Sequence, residues 1–323
     1  MGERINPKTC SRLIYDNPSL CVTNPIVKHH QLWFSDGAII AVAAAGTVGF
    51  RLHIGFLIYS CATFKEISGT PLSAFSNETF EGCVVIRMRD DESDLINFFL
   101  ALYNPLSFNF DIKSASNFQK VAGVMRLAHK YGCEVLVTHI RNALFSCYPP
   151  SHRLAWHGSL VCSPKAGPSP VQVITLALLC KIEEILPICF YLVAFHVSLE
   201  SEELHLLGLL DQKRILPGRC ALVQRMAGFL ASGPPYPLIR CKTGRCAKTL
   251  KAFWNACCED DHELRLLDGS LAKDPLTKLV AMRDKAYTRI LTIHMGLPSI
   301  GFWTVDTKYF PHVFFETYFL RVL

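Results

Sequence analysis

The chain has 323 residues, of which 50% are hydrophobic and 19% charged, and a formal net charge of +6. That apolar content at this length suffices for one large or two ordinary buried cores, which excludes disorder as the default state. Mean hydropathy is +0.25, yet the uncharged candidate stretches 37–50 and 185–199 fall short of the roughly 18 to 20 residues that a bilayer span needs, so no membrane partner is expected.

Residues 1–28 are polar and broken by Pro7, Pro18 and Pro25, a pattern that predicts a flexible arm. No apolar run follows the first charges, and Asn6 stands where the myristoylation pattern wants Ser or Thr. The fourteen cysteines include Cys61, Cys83, Cys133, Cys180 and Cys189 in helical and strand-like contexts, where a reduced Cys behaves as a small apolar residue. The expectation is an intracellular protein, cytoplasmic or nuclear, in which Asn77-Glu78-Thr79 is a loop sequence and not a glycosylation site.

The organising stretch runs from Leu32 to Ser68. Trp33 to Gly37 is a polar turn anchored by two aromatics, Ala38 to Ala43 an apolar run of strand length, and Val48 to His53 a second strand behind Gly46 and Gly49. Leu57, Cys61 and Phe64 then recur at helical spacing. Asp36-Gly37, the apolar strand, Phe50-Arg51-Leu52-His53, Leu57 and Phe64-Lys65-Glu66 together resemble the opening of a BTB/POZ domain. The stretch resembles the variant of mushroom-forming fungi, with its His-x-x-x-Trp-Phe-x-Asp-Gly start, here His29 to Gly37.

The resemblance implies an α+β fold, a BTB/POZ-like small sheet flanked by helical hairpins over 29–148, followed by a mainly α-helical C-terminal region. It implies a protein-interaction module and not an enzyme, one that mediates homo- or hetero-oligomerisation as an adaptor or scaffold, with a second copy of the chain among its protein partners. In such domains the strands and first helix pack into a dimer face, often by exchange of an N-terminal segment. On that basis the interaction or dimer face draws on Trp33, Phe34, Asp36, His53, Leu57, Ile58 and Phe64. Of the five apolar residues in that set, one or two are expected at the interface and the others in the core. Many members pair the strand Asp with a Lys or Arg after the His. Ile54 occupies that position here, so Asp36 should be exposed, otherwise paired, or capping the Gly37 turn.

Further along, 68–76 is a loop and Cys83 to Met88 a third strand, β-branched and followed by Arg89-Asp90-Asp91-Glu92. Asp91, Glu92 and Asp94 open a helix, where the helix dipole favours carboxylates, and they read as caps and not catalysts. Leu95, Phe98, Phe99 and Leu102 give its apolar face, and Asn104-Pro105 ends it. Ser116 is the expected N-cap of the next helix, with a stripe of Phe118, Val121, Val124, Met125 and Ala128 and a stop at Gly132. A helix from about 133 to 145 presents Leu136, Ile140, Ala143 and Leu144. This pair resembles the closing helical hairpin of the family. The Tyr103 to Lys113 loop lacks the apolar-x-Glu pattern associated with cullin contact, which weakens a ubiquitin-ligase adaptor reading.

Residues 149–170 are a Pro-rich linker, and 171–290 a helical region. Within it, 171–195 should form two apolar helices interrupted before Pro187, with shorter helices over 202–210 and 221–230. The aromatic-rich tail, 291–323, has no readable period.

Three constellations compete with these readings. Cys241, Cys246, Cys257, Cys258 and His262 are soft ligands, but the adjacent pair diverges, so no metal and no cofactor are expected. Between Gln212 and Cys258 there is no acidic residue, while Lys213, Arg214, Arg219, Arg225, Arg240, Lys242, Arg245, Lys248 and Lys251 are basic. Residues 213–251 offer nucleic acid a salt-dependent surface and the alternative reading of a transcription-associated regulator, but match no known recognition motif, so a solvated face or an acidic protein partner is preferred. His53, His129, His196 and His205 are isolated and read as structural, and no phosphate loop, nucleophile elbow or His-Glu-x-x-His is present.

Overall fold

The structure, a computed structural model, describes residues 25–43, 46–66, 76–148, 167–197 and 201–232, together with 251, 252 and 255. The chain divides into two compact units, Met1–Ser146 and Cys147–Leu323. The first is a mixed α+β unit built on a small curled sheet of five strands in the order β1-β3-β2-β5-β4. These are β1 (Val27–Trp33), β2 (Ile39–Ala43), β3 (Val48–Leu52), β4 (Thr79–Phe80) and β5 (Cys83–Met88).

Strand β2 reads Ile-Ile-Ala-Val-Ala without a polar break because it lies in the middle of the sheet and is buried on both faces. It pairs antiparallel with β3 and parallel with β5. A parallel partner needs a crossover, and α1 (Ile54–Ser60) and α2 (Ala62–Glu66) lie along it. On one face of the sheet Ile40, Val42, Cys83 and Val85 form a small cluster covered by Ile26, Trp33 and Phe80. The opposite face carries Phe50, whose ring lies 5.2 Å from Phe99, and from there the aromatic core runs through Phe98 and Tyr131 to Phe64.

Two strands were not legible as such. β1 takes in Val27 and Lys28 from the expected arm, pairs parallel with β3 at the sheet edge and carries a register shift between Lys28 and Trp33. β4 makes a hairpin with β5 through Glu81-Gly82, both at positive φ (48° and 78°), the geometry of a two-residue turn of the hairpin type.

The apolar stripe Leu57, Cys61, Phe64 is buried as its spacing predicts, but the helix that carries it breaks at Cys61, which is extended. The backbone amide after it, that of Ala62, donates to Gly132 O instead of continuing the helix. Beyond β5, α3 (Glu92–Tyr103) is capped by Asp91, whose side chain accepts from the amides of Ser93 and Asp94. Helix α4 (Ala115–Tyr131) starts from Ser114 and not from Ser116, one half-turn before the expected cap. It ends at Gly132, which is left-handed at φ 67° and turns the chain into α5 (Glu134–Cys147).

In the second unit, α6 (Pro170–Cys180) and α7 (Leu186–His196) are the two apolar helices expected around Pro187, joined by a left-handed Lys181 and a 3-10 turn at Glu183–Ile185. The expected short helices take a different form. Glu202–Leu206 is a 3-10 turn, and 221–230 belongs to one 24-residue helix, α8 (Leu209–Ser232), which runs on through Pro217. Among the described residues no helix is long and apolar enough to cross a membrane. The aromatic tail and most of the linker lie outside the described residues.

Candidate functional site

The turn after β1, the start of α1 and the end of α3 meet at one place on the first unit. His53 is the N-cap residue of α1, and its carbonyl accepts from the amides of Phe56 and Leu57. Its own amide donates to the Tyr103 hydroxyl, 3.1 Å away, which fastens the first turn of α1 to the last residue of α3. Burial pushes the Tyr103 hydroxyl pKa up, so this oxygen stays protonated and free to accept. The Phe34 ring stacks on Tyr103 at 5.1 Å and leans on His53 at 4.8 Å, and Phe56 meets Tyr103 edge-on at 4.7 Å. Four rings from three segments thus form one half-buried group.

Asp36 sits at its rim. Its carboxylate lies 3.1 Å from His53 Nε2 with the side chain 79% accessible. The hydrogen bond from His53 holds the Asp36 carboxyl below its ordinary value, with its own backbone amide adding to this. The partner absent at Ile54 is therefore replaced from the position before it, and the pair stays in solvent, where an ion pair contributes little stability.

Not all the sequence-derived site residues join this group. Leu57 and Phe64 are buried in the core and leave the candidate face. Trp33 points to the other side of the sheet, as successive strand residues must, and packs edge-on against Phe80 with Lys28 over its ring. Ile58 is half-buried on α1. Phe34, Asp36 and His53 are brought together. Sequence reasoning missed Phe56, Tyr59 and Tyr103. Tyr59 is 89% exposed and Phe56 36%, three residues apart on α1 and hence neighbours on its outer side. The signal available for them was their position: on a helix whose core contact is Leu57, residues one before and two after it turn outward.

The acidic run between β5 and α3 is fully engaged in structure. Asp90 accepts from the Tyr131 hydroxyl and from Lys130 Nζ, Asp91 caps α3, Glu92 Oε2 accepts the amides of Thr47 and Val48 at 2.7 and 2.8 Å, and Asp94 binds Arg126 Nη2 at 2.8 Å. Only Asp91 acts as the cap expected of the group; the others tie α3 and its approach to the β2–β3 turn and to α4. Among the described residues no three His, Cys, Asp or Glu side chains are placed to hold a metal ion.

The Cys241 to His262 cluster lies outside the described residues, as does most of the basic stretch. Of the latter, Lys213 and Arg214 are exposed on α8, Arg214 reaching Asp211 at 3.2 Å, while Arg219 lies over the Phe195 ring. Comparison of the chain with protein-family models, with curated proteins and with solved structures finds no match.

Proposed function

We propose that the chain is a BTB/POZ-like protein-interaction module that works inside the cell and binds a second copy of itself, or another protein, through the aromatic face on α1. The observation that carries this reading is the pairing of exposed Phe56 and Tyr59 with the half-buried Phe34–His53–Tyr103 group behind them. Aromatic side chains with few rotatable bonds, set on a braced support and rimmed by charge, are the composition of interface hot spots. The family part of the reading is supported by the order of elements: a β2–β3 hairpin, helices on the crossover, β5 parallel to β2, a helix after it, and a closing hairpin of α4 and α5. Binding would be driven by burial of apolar area at roughly 25 cal/mol per Å², reduced by the loss of rigid-body freedom.

Light scattering on the full chain after size exclusion tests this. A mass of about twice 36.2 kDa that reverts to one chain in Tyr59→Asp, with an unchanged circular dichroism spectrum, is expected. A monomer at the highest soluble concentration, wild type and variant alike, would overturn self-association through this face and leave another protein as its partner. A second reading, contact of residues 213–251 with nucleic acid, is supported by Lys213 and Arg214 on α8. It requires binding to random duplex that weakens steeply with salt.

A further inference from the structure

The first turns of α8 carry leucines on the side where a solvated helix carries polar residues. Within 209–220 Ile215 is the buried position, and Arg219 lies over the Phe195 ring. Leu209, Leu210 and Leu216 are instead 65%, 71% and 53% exposed. Leu209 and Leu216 are two turns apart with exposed Lys213 between them, and Leu210 and exposed Pro217 flank it, so one side of the helix holds all five. Arg214 is exposed beside them, and the one acid of this stretch, Asp211, has a mostly covered side chain turned to Arg214. The exposed acids Glu202 and Glu203 come before the helix, in the 3-10 turn. Packing of the second unit accounts for Ile215, but not for three outward leucines set among basic residues.

We propose that this side of α8 in one copy docks on the aromatic face of α1 in a second copy. The two surfaces are complementary in charge as well as apolar. Helix α1 has no charged residue of its own, and the rim of its face carries the accessible Asp36 carboxylate, whereas the α8 side carries Lys213 and Arg214. Phe56 and Tyr59 cover the leucines, and the basic pair meets the rim on which Asp36 lies. Either face laid on its own counterpart would set like charge near like charge. A bilayer would have to take Lys213 in among the leucines on both sides of it, and a nucleic-acid backbone would leave those leucines without an apolar partner. Made once in each direction, the contact closes a two-fold pair in which α1 meets α8 twice. The inference rests on the interaction reading above and names the part of the second copy that α1 receives.

The test is complementation between two full-length variants, each damaged on one face, followed by light scattering at the highest soluble concentration. Tyr59→Asp spoils the α1 face and keeps α8; Leu210→Asp does the reverse, and Leu209→Asp stands in for it should its circular dichroism spectrum change. Each variant alone is expected at the mass of one chain, 36.2 kDa, and the equimolar mixture at about twice that mass, because one α1 and one α8 remain intact in the mixed pair. Leu210→Asp and Leu209→Asp that still pair, while Tyr59→Asp does not, would overturn the proposal and leave the interaction reading standing with α1 set on α1. Tyr59→Asp that still pairs would overturn both. A mixture that stays at one chain would also overturn the α1–α8 contact. A monomeric wild type that sediments with vesicles of phosphatidylserine and phosphatidylcholine, and loses this in Leu210→Asp, would give the α8 side to a membrane surface and overturn the proposal.

Discussion

Gly123 of α4 leaves room for the carboxylate of Asp94 of α3: a Cβ at Gly123 would lie 2.1 Å from Asp94 Oδ1, whose other oxygen holds Arg126. The two helices can approach this closely only because the side chain is missing. Gly55, also helical, has no atom within 4 Å of its virtual Cβ. The same substitution should therefore have opposite signs at the two sites. Gly123→Ala is expected to destabilise by about 1–3 kcal/mol through overpacking, and Gly55→Ala to stabilise by about 0.5 kcal/mol through reduced freedom of the unfolded chain. Urea midpoints measure both, and Asp94→Ala in the Gly123→Ala background should recover part of the loss. Equal effects at both positions would show that helix propensity, and not the Asp94 contact, governs them.

How much of this was legible in the sequence depends on where each element's physical cause lies. Strands β2 and β5 and helices α3 to α5 announce themselves because their burial is periodic or continuous: the stripe Phe118, Val121, Val124, Met125, Ala128 is buried throughout. Strand β1 is not legible, because at a sheet edge Lys28, His30 and Gln31 remain exposed and its hydrogen bonds, not its side chains, define it. After the break at Cys61 the amide of Ala62 is taken by Gly132 O, seventy residues further along the chain, so the stripe is legible and the end of the helix is not. The site follows the same division. Asp36 and His53 were singled out individually, but their pairing is a consequence of the β1–β2 turn meeting α1, and Tyr103 joins them only through α3.

The β2–β3 turn should depend on Glu92. One oxygen accepts two backbone amides, and a Cβ on Gly46 would fall 2.2 Å from it. Glu92→Ala leaves both amides without that partner and is expected to cost about 2 kcal/mol, while Glu92→Gln, which keeps an acceptor but not its charge, should cost about half as much. Gly46→Ala should act in the same direction as Glu92→Ala, and the double variant should lose less than the sum. Additive losses in chemical denaturation would separate the two residues and contradict this coupling.

Tyr131, the last residue of α4, closes the aromatic core, and its hydroxyl donates to Asp90, which is also held by Lys130. Burial, with the Asp90 charge beside it, pushes the hydroxyl pKa far up, so Tyr131 remains a donor across the usable pH range. Tyr131→Phe keeps the ring against Phe64 and Phe98 and removes one donor; a loss of about 1–2 kcal/mol is expected. Tyr131→Leu also removes ring contacts and should cost more. Equal losses for Phe and Leu would place the energy in the hydrogen bond alone.

Acid should weaken the first unit in two separate windows. Burial against the sheet, and then the neighbouring charge of His30, lower the His29 pKa from its ordinary 6.5, so the native state binds this proton less readily than the unfolded chain. The stability tied to His29 is complete above 6.5 and is lost as pH falls from there toward the lowered value. Asp36 and Asp91 behave as depressed carboxylates, held below 3.8 by hydrogen bonds from His53 and from Ser93 respectively. Their contribution is complete above the ordinary carboxylate value and disappears only as pH falls below it, through their own lowered values. Melting temperature followed from pH 8 to pH 3 should thus show an early decline that His29→Gln flattens and a late one that Asp36→Asn reduces without removing, since Asp91 still titrates. If the His29→Gln curve runs parallel to wild type below neutrality, the imidazole is not burying its neutral form on β1, and the edge strand is held to β3 by its backbone alone.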